Sequence, residues 1–171
     1  MGTSRSYIDT VPYLTYITDL HAASSGDATD TTALAGLPIT ATDPVNGGTT
    51  ITDKLADLNA LGIPTPGTFP DLCPGGTGSG NFNACIILNT GITFPPQSNN
   101  GSNFSLLSTT EREMDEVLGL GSGLSCSAPG AANCTAGTPN PEDLFRYTAG
   151  GTRSYSLNLQ TSDACTGAPA A

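Results

Sequence analysis

The sequence predicts an α+β fold in one loop-rich domain spanning residues 1–171, on three observations. Apolar residues recur at helical spacing through the first third of the chain and again after residue 107, while the best strand is a single short apolar run, Ala84–Asn89. Helix-like segments precede that strand, instead of many short strands at even spacing, which speaks against a sandwich. Finally, 21 Gly and 13 Pro leave long stretches that can only be loops. The expected order is a helical region over 6–61, strand and loops over 64–107, a helix over 108–119 packed on a small sheet, and a loop-and-strand region over 120–171.

Each element has a local reason. Tyr7, Ile8, Val11, Leu14, Ile17 and Leu20 predict an amphipathic helix over 6–23. Pro12 is tolerated only in a first turn, which makes it the alternative start of this helix. Asp27 caps a shorter helix ending near Gly36. ATDPVNGG is a turn, Thr49–Ile51 a short strand, and Thr52–Leu61 a helix closed by Gly62. Residues 64–82 and the FPPQSNNGSN segment are loops. Beyond residue 119 the chain predicts a Cys-bounded loop, the segment Pro141–Tyr155, a strand over Ser154–Leu159 and a tail of small residues.

The stretch TTEREMDEVLGLGS, residues 109–122, carries the most local logic. Ser108 and Glu111 form an S-x-x-E capping box, and Leu107 before the cap can staple the first turn. Met114, Val117 and Leu118 make the expected buried stripe, Arg112 and Glu116 stand four apart, and Gly119 or the Gly121-Ser-Gly123 run stops the helix.

Fifteen acidic against five basic residues give a net charge of -10, which excludes nucleic acid and anionic membranes as partners. No run approaches a membrane span, and MGTSRSYIDT has no apolar signal-peptide core. Five cysteines form no CxxC, and His21 is the single histidine, so a Cys/His zinc site is not expected. Cys73 with Cys85 and Cys126 with Cys134 each flank a polar loop and predict two local disulfides, leaving Cys165 over. Such bridges, low Lys and N-x-S/T sequons at Asn100, Asn103 and Asn133 suit a secreted, extracellular protein whose leader lies outside this sequence. Self-association through Cys165 or an exposed strand edge is the expected partner mode. Ser122 and Ser125 sit in no G-x-S-x-G elbow and face no His partner, which excludes serine hydrolysis.

Two segments, REMDEVLG and PEDLFRYTAGGTRS, together resemble a family of secreted, zincin-like bacterial metalloproteases. The family helix reads approximately H-E-[I/M]-x-E-V-[L/M]-G, followed by P-x-D-L-F-R-Y-[S/T]-A-x-G-x-R-S. The upstream order of ALAGLP, a DP, KLADLNALGI and an apolar strand is also similar, so the likeness runs across most of the chain. It implies a zincin-like domain in which a metal-bound water cleaves peptide bonds, with zinc as cofactor and a peptide or protein as substrate. It further implies Glu113 as general base, Glu116 as a metal ligand and Gly119 as the turn. A further strand beyond Ala171, pairing with 154–159, is implied as well.

Arg112 departs from that pattern, standing where the family has a ligand His; a guanidinium stays protonated and has no lone pair to offer a metal. Two carboxylates without imidazole suit no catalytic zinc, only a weakly bound divalent cation or none. The alternatives are a weak or inactive metallopeptidase homologue and a non-catalytic extracellular structural or binding module on the same scaffold. Asp115 points off the Glu113–Glu116 face, and His21 completes a site only if its helix packs there. Asp143, Arg146 and Arg153 are supporting candidates. They either clamp a peptide or pin the loop after the helix, Asp143 with Arg153 or Arg146 with Glu116.

Overall fold

Alternation, not helical spacing, governs the first twelve residues. Gly2, Ser4 and Ser6 face inward and Thr3 and Arg5 outward; a second extended segment then buries Val11 between exposed Thr10 and Pro12. The helix expected over 6–23 therefore begins only at Tyr13. Pro12 holds φ at -58° with ψ at 132°, so it serves as the residue that ends the strand and opens the helix. Helical spacing across 7–11 was a coincidence of a β pattern running into a helix.

The computed structural model describes residues 2–65, 69–71, 73, 75–76, 79–80, 82–91, 93–94, 104–126, 134–135, 137–148 and 150–155. In order they form β1 (Gly2–Ser6), β2 (Ile8–Pro12), α1 (Tyr13–Ala23), α2 (Ala28–Leu34), β3 (Thr50–Lys54), α3 (Leu55–Ala60), β4 (Phe69–Pro70) and β5 (Ser79–Gly80). There follow β6 (Ala84–Leu88), β7 (Thr93–Phe94), β8 (Phe104–Ser105), α4 (Leu106–Val117), β9 (Ser125–Cys126), β10 (Cys134–Thr135) and a 3-10 helix, Pro141–Leu144. This is an α+β chain, as its composition predicts. The strand expected at Thr49–Ile51 extends through Lys54, so the helix expected from Thr52 starts at Leu55. Asp27 caps α2 as expected, accepting from Thr29 N at 2.8 Å and Asp30 N at 2.9 Å.

The contacts gather into two compact units, Met1–Asp9, Lys54–Ala60 and Pro64–Leu120 in the first, Thr10–Asp53, Leu61–Ile63 and Gly121–Ala171 in the second. In the first, β1 pairs antiparallel with β6, from Gly2 opposite Leu88 to Ser6 opposite Ala84. The helix α4 packs on both strands. Leu55, Leu58 and Cys85 are buried in this unit. Cys85 is bonded to Cys73, with 5.4 Å between their Cα atoms, which ties the Pro- and Gly-rich segment expected to be all loop, and found to carry the short β4–β5 pair, to β6. Closing a loop of this separation removes unfolded-chain entropy worth about 2–3 kcal/mol. Cys73→Ser is therefore expected to lower the urea midpoint by that much stability; an unchanged midpoint would remove the bridge from the stabilising contacts.

In the second unit, Tyr13, Ile17 and Ile51 are fully buried, joined by Tyr16, Leu37, Val45, Ile63, Leu124 and Leu144. The ATDPVNGG turn forms as expected. Asp43 Oδ1 accepts from Val45 N and Asn46 N at 2.9 Å, and Asp43 N donates to Gly48 O at 2.7 Å. Here β9 and β10 pair with Cys126 opposite Cys134 in the backbone register. Their side chains lie outside the described residues, as does Cys165. Of the strand expected over 154–159, only Ser154 and Tyr155 are described and the rest lies outside the described residues; just before it Tyr147 and Arg153 form an isolated bridge, with Gly151 at φ +76° between them.

Candidate functional site

The motif helix begins earlier than the capping box suggested. Ser105, not Ser108, is the N-cap residue, its Oγ accepting from Ser108 N at 3.4 Å, and α4 runs from Leu106 to Val117. The two serines stand three residues apart, and either could cap; Leu106 entering the helix decides it. Gly119 ends the helix as predicted, at φ +83°, a conformation that suits a residue without Cβ. Leu118 N donates to Met114 O and Leu120 N reaches back to Asp115 O, which ties off the last turn.

Of the stripe expected to be buried, Val117 is half-buried, one turn after Glu113, but the other two residues are not. Met114 and Leu118 are 47% and 52% exposed, while Glu113 is fully buried. What lies under Glu113 is the small-residue face of β1. A Cβ on Gly2 would come within 2.7 Å of Glu113 Cγ and 3.0 Å of Thr109 Cγ2, so only glycine lets the strand pass this close. Two residues on, Ser4 Oγ donates to Glu116 Oε2 at 2.6 Å. The alternation of Gly2, Ser4 and Ser6 was the sequence signal for this; the expected helix began only at residue 6, and no element was expected before it.

Arg112 lies across both carboxylates. Its Nη1 donates to Glu113 Oε1 at 2.9 Å and its Nη2 to Glu116 Oε1 at 2.5 Å, with the guanidinium itself 61% exposed. The second Glu113 oxygen, Oε2, is buried and has no hydrogen-bond partner among the described residues. So the structure does bring Arg112, Glu113 and Glu116 together, with Asp115 exposed on another side of the helix. His21 sits in the last turn of α1, in the second unit. Among the described residues no three His, Cys, Asp or Glu side chains converge to hold a metal. Two carboxylates already bridged by a guanidinium are not a donor set for catalytic zinc.

The other candidates form a separate cluster in the second unit. Asp143 is fully buried. It accepts from Ser122 Oγ at 2.6 Å, Gly123 N at 2.9 Å and Asn140 N at 3.0 Å, and lies 3.9 Å from Arg146 Nε. Its partner is therefore Arg146, not Arg153. Burial pushes the Arg146 guanidinium down from its ordinary range, against the pull of Asp143 and Glu142. Burial, with the Asp143 charge beside it, raises the Glu142 carboxyl. Arg153 instead donates to the carbonyls of Leu144 and Ala33 and to Tyr147 Oη at 2.8 Å, its guanidinium stacked 5.2 Å from Phe145 and 5.0 Å from Tyr147. These contacts tie segments of the second unit to one another.

Tyr13 closes the same core, donating to Pro38 O at 3.0 Å. Burial, then the Tyr155 and Asp43 charges, push its phenol from 10.0 up to about 12, Arg153 acting the other way. A folded value above the unfolded one means that the unfolded chain ionises first. Its contribution is thus complete below pH 10.0 and is lost as pH rises to about 12. Urea midpoints measured across that window should fall in the native protein, and less in Tyr13→Phe; equal falls would remove Tyr13 as the cause.

Among the described residues no helix is long and apolar enough to cross a membrane. Comparison with protein-family models, with curated proteins and with solved structures finds no match.

Proposed function

We propose that this chain is a secreted, zincin-like metallopeptidase homologue that has exchanged its metal for an internal cation, and works as a non-catalytic extracellular module. The observation that carries the reading is Arg112, whose guanidinium spans Glu113 and Glu116, the two positions that the resemblance assigns to general base and ligand. A divalent ion would balance those two carboxylates by charge; Arg112 balances them by charge and by directed hydrogen bonds, and offers no lone pair. Peptide cleavage by metal-activated water needs imidazole or further carboxylates around an open coordination position. Among the described residues Glu113 meets the Arg112 guanidinium, Gly2 and Thr109, and the one further carboxylate beside it, Glu116, is taken up by Arg112 and Ser4. The Cys73–Cys85 bridge supports an oxidising, extracellular setting.

Metal content by mass spectrometry and hydrolysis of a peptide library test this in the native protein and in Arg112→His. The native chain is expected to carry no stoichiometric zinc and to cleave nothing, while Arg112→His, with an imidazole four residues from Glu116, gains zinc. Stoichiometric zinc in the native chain would overturn the reading. Failure of Arg112→His to take up zinc would show that position 112 is not a vacated ligand position.

A further inference from the structure

The buried Glu113 of α4 has a counterpart on the outer side of the helix. Leu107, Met114 and Leu118 are seven and four residues apart, so they share one face of the helix, and they stand 52%, 47% and 52% exposed. Leu120, 58% exposed, follows just past the helix end. A surface helix ordinarily turns such a stripe inward; here the side packed on β1 carries Glu113, and this apolar stripe is left outward. Glu111 and Asp115, both exposed, line one flank of the stripe at positions one turn apart. No basic side chain of α4 shares that flank, because Arg112, the one cation of the helix, is engaged with Glu113 and Glu116.

We propose that the Leu107–Met114–Leu118 face of α4 is a docking surface for a cationic amphipathic segment of a partner protein. Its apolar residues seat on the stripe, and its Lys or Arg side chains pair with Glu111 and Asp115. Charge selects this occupant over the others. A second copy would set carboxylates against carboxylates between two chains of net charge -10. An anionic bilayer meets the same repulsion. A basic partner is drawn in by the whole field and held by the stripe. The inference does not depend on what Arg112 replaces.

The probe is a synthetic peptide of Leu and Lys in heptad order, titrated calorimetrically against a control with Glu in place of Lys. The Lys peptide binds the native protein and the Glu peptide does not. Met114→Ser with Leu118→Ser weakens the Lys peptide by about tenfold or more, with the circular dichroism unchanged because both side chains are exposed. Glu111→Lys with Asp115→Lys reverses the preference between the two peptides. Equal affinity for the Lys peptide in the serine variant would overturn the proposal, since a merely electrostatic association survives the loss of the stripe. Dimerisation abolished by the serine variant in sedimentation, or binding of anionic vesicles, would overturn it in favour of those occupants.

Discussion

Replacing Asp143 with Ala is expected to lower the unfolding free energy by about 3 kcal/mol, the largest effect of any single polar substitution in the second unit. The carboxylate is fully buried and satisfies donors from two segments at once: Ser122 Oγ and Gly123 N on one side, Asn140 N on the other. It also caps the 3-10 helix Pro141–Leu144 reciprocally with Asn140, so its loss unties a turn as well as a crossing. Removing it strands the part-buried N–H groups of Gly123 and Asn140 and takes from the poorly solvated Arg146 guanidinium the carboxylate 3.9 Å away. Water cannot easily replace the acceptor, because Gly123 lies so close to Thr138 O and Asn140 that not even a Cβ fits there. Asp143→Asn keeps the shape but turns one acceptor oxygen into a donor, and should cost about half as much. Ser122→Ala, which deletes one donor and leaves the carboxylate its backbone partners, should cost about 1 kcal/mol. Urea unfolding followed by circular dichroism orders the three, and a cost below that of Ser122→Ala for Asp143→Ala would show that the crossing is not held by this carboxylate.

Much of the scaffold was legible because its signals are local. Asp27 caps α2 through bonds that close within three residues. The ACIIL run is strand β6, Gly119 ends α4, and Cys73 and Cys85 are joined across the loop between them. What was misread depended on partners far away in the chain. Residues 7–12 satisfied both periods, and the choice of strand was made by β3, distant in the chain, with which β2 pairs. Likewise the apolar stripe of α4 predicted an inward Met114 and Leu118. The helix instead turned Glu113 inward against Gly2 and set the half-exposed Glu116 against Ser4, both of which arrive from β1. Ser4 and Glu116 are 112 positions apart, and no window of sequence relates them. The pairing of Asp143 was misassigned for a simpler reason. Arg146 stands one helical turn away and Arg153 lies beyond a hairpin, but composition alone ranks the two arginines equally.

The same reasoning gives Arg112→Met a cost that an ordinary surface ion pair would not have. Both Arg112 and Glu116 are well exposed, and that i,i+4 pair alone is worth a few tenths of a kcal/mol. Glu113 is different: its side chain is fully buried, Oε2 has no partner among the described residues, and Arg112 is the cation on Oε1. Deleting the guanidinium leaves a buried carboxylate uncompensated, a loss of about 3–5 kcal/mol for a fully buried pair. The exposure of Arg112 lets water share the screening, which reduces the expected loss to about 2 kcal/mol. Methionine preserves the aliphatic stem, so lost packing contributes little. Arg112→Lys keeps the charge but lacks the fork that reaches both carboxylates, and should recover only part of the loss. The decisive arm is Glu113→Gln placed on the Arg112→Met background. If the penalty comes from an unpaired buried carboxylate, neutralising Glu113 returns most of the lost stability, and the double-mutant cycle shows strong coupling between the two positions. Independent, additive costs would mean that Arg112 is a solvated side chain resting on the helix. The guanidinium could then not be the counter-ion that stands in the place of a metal.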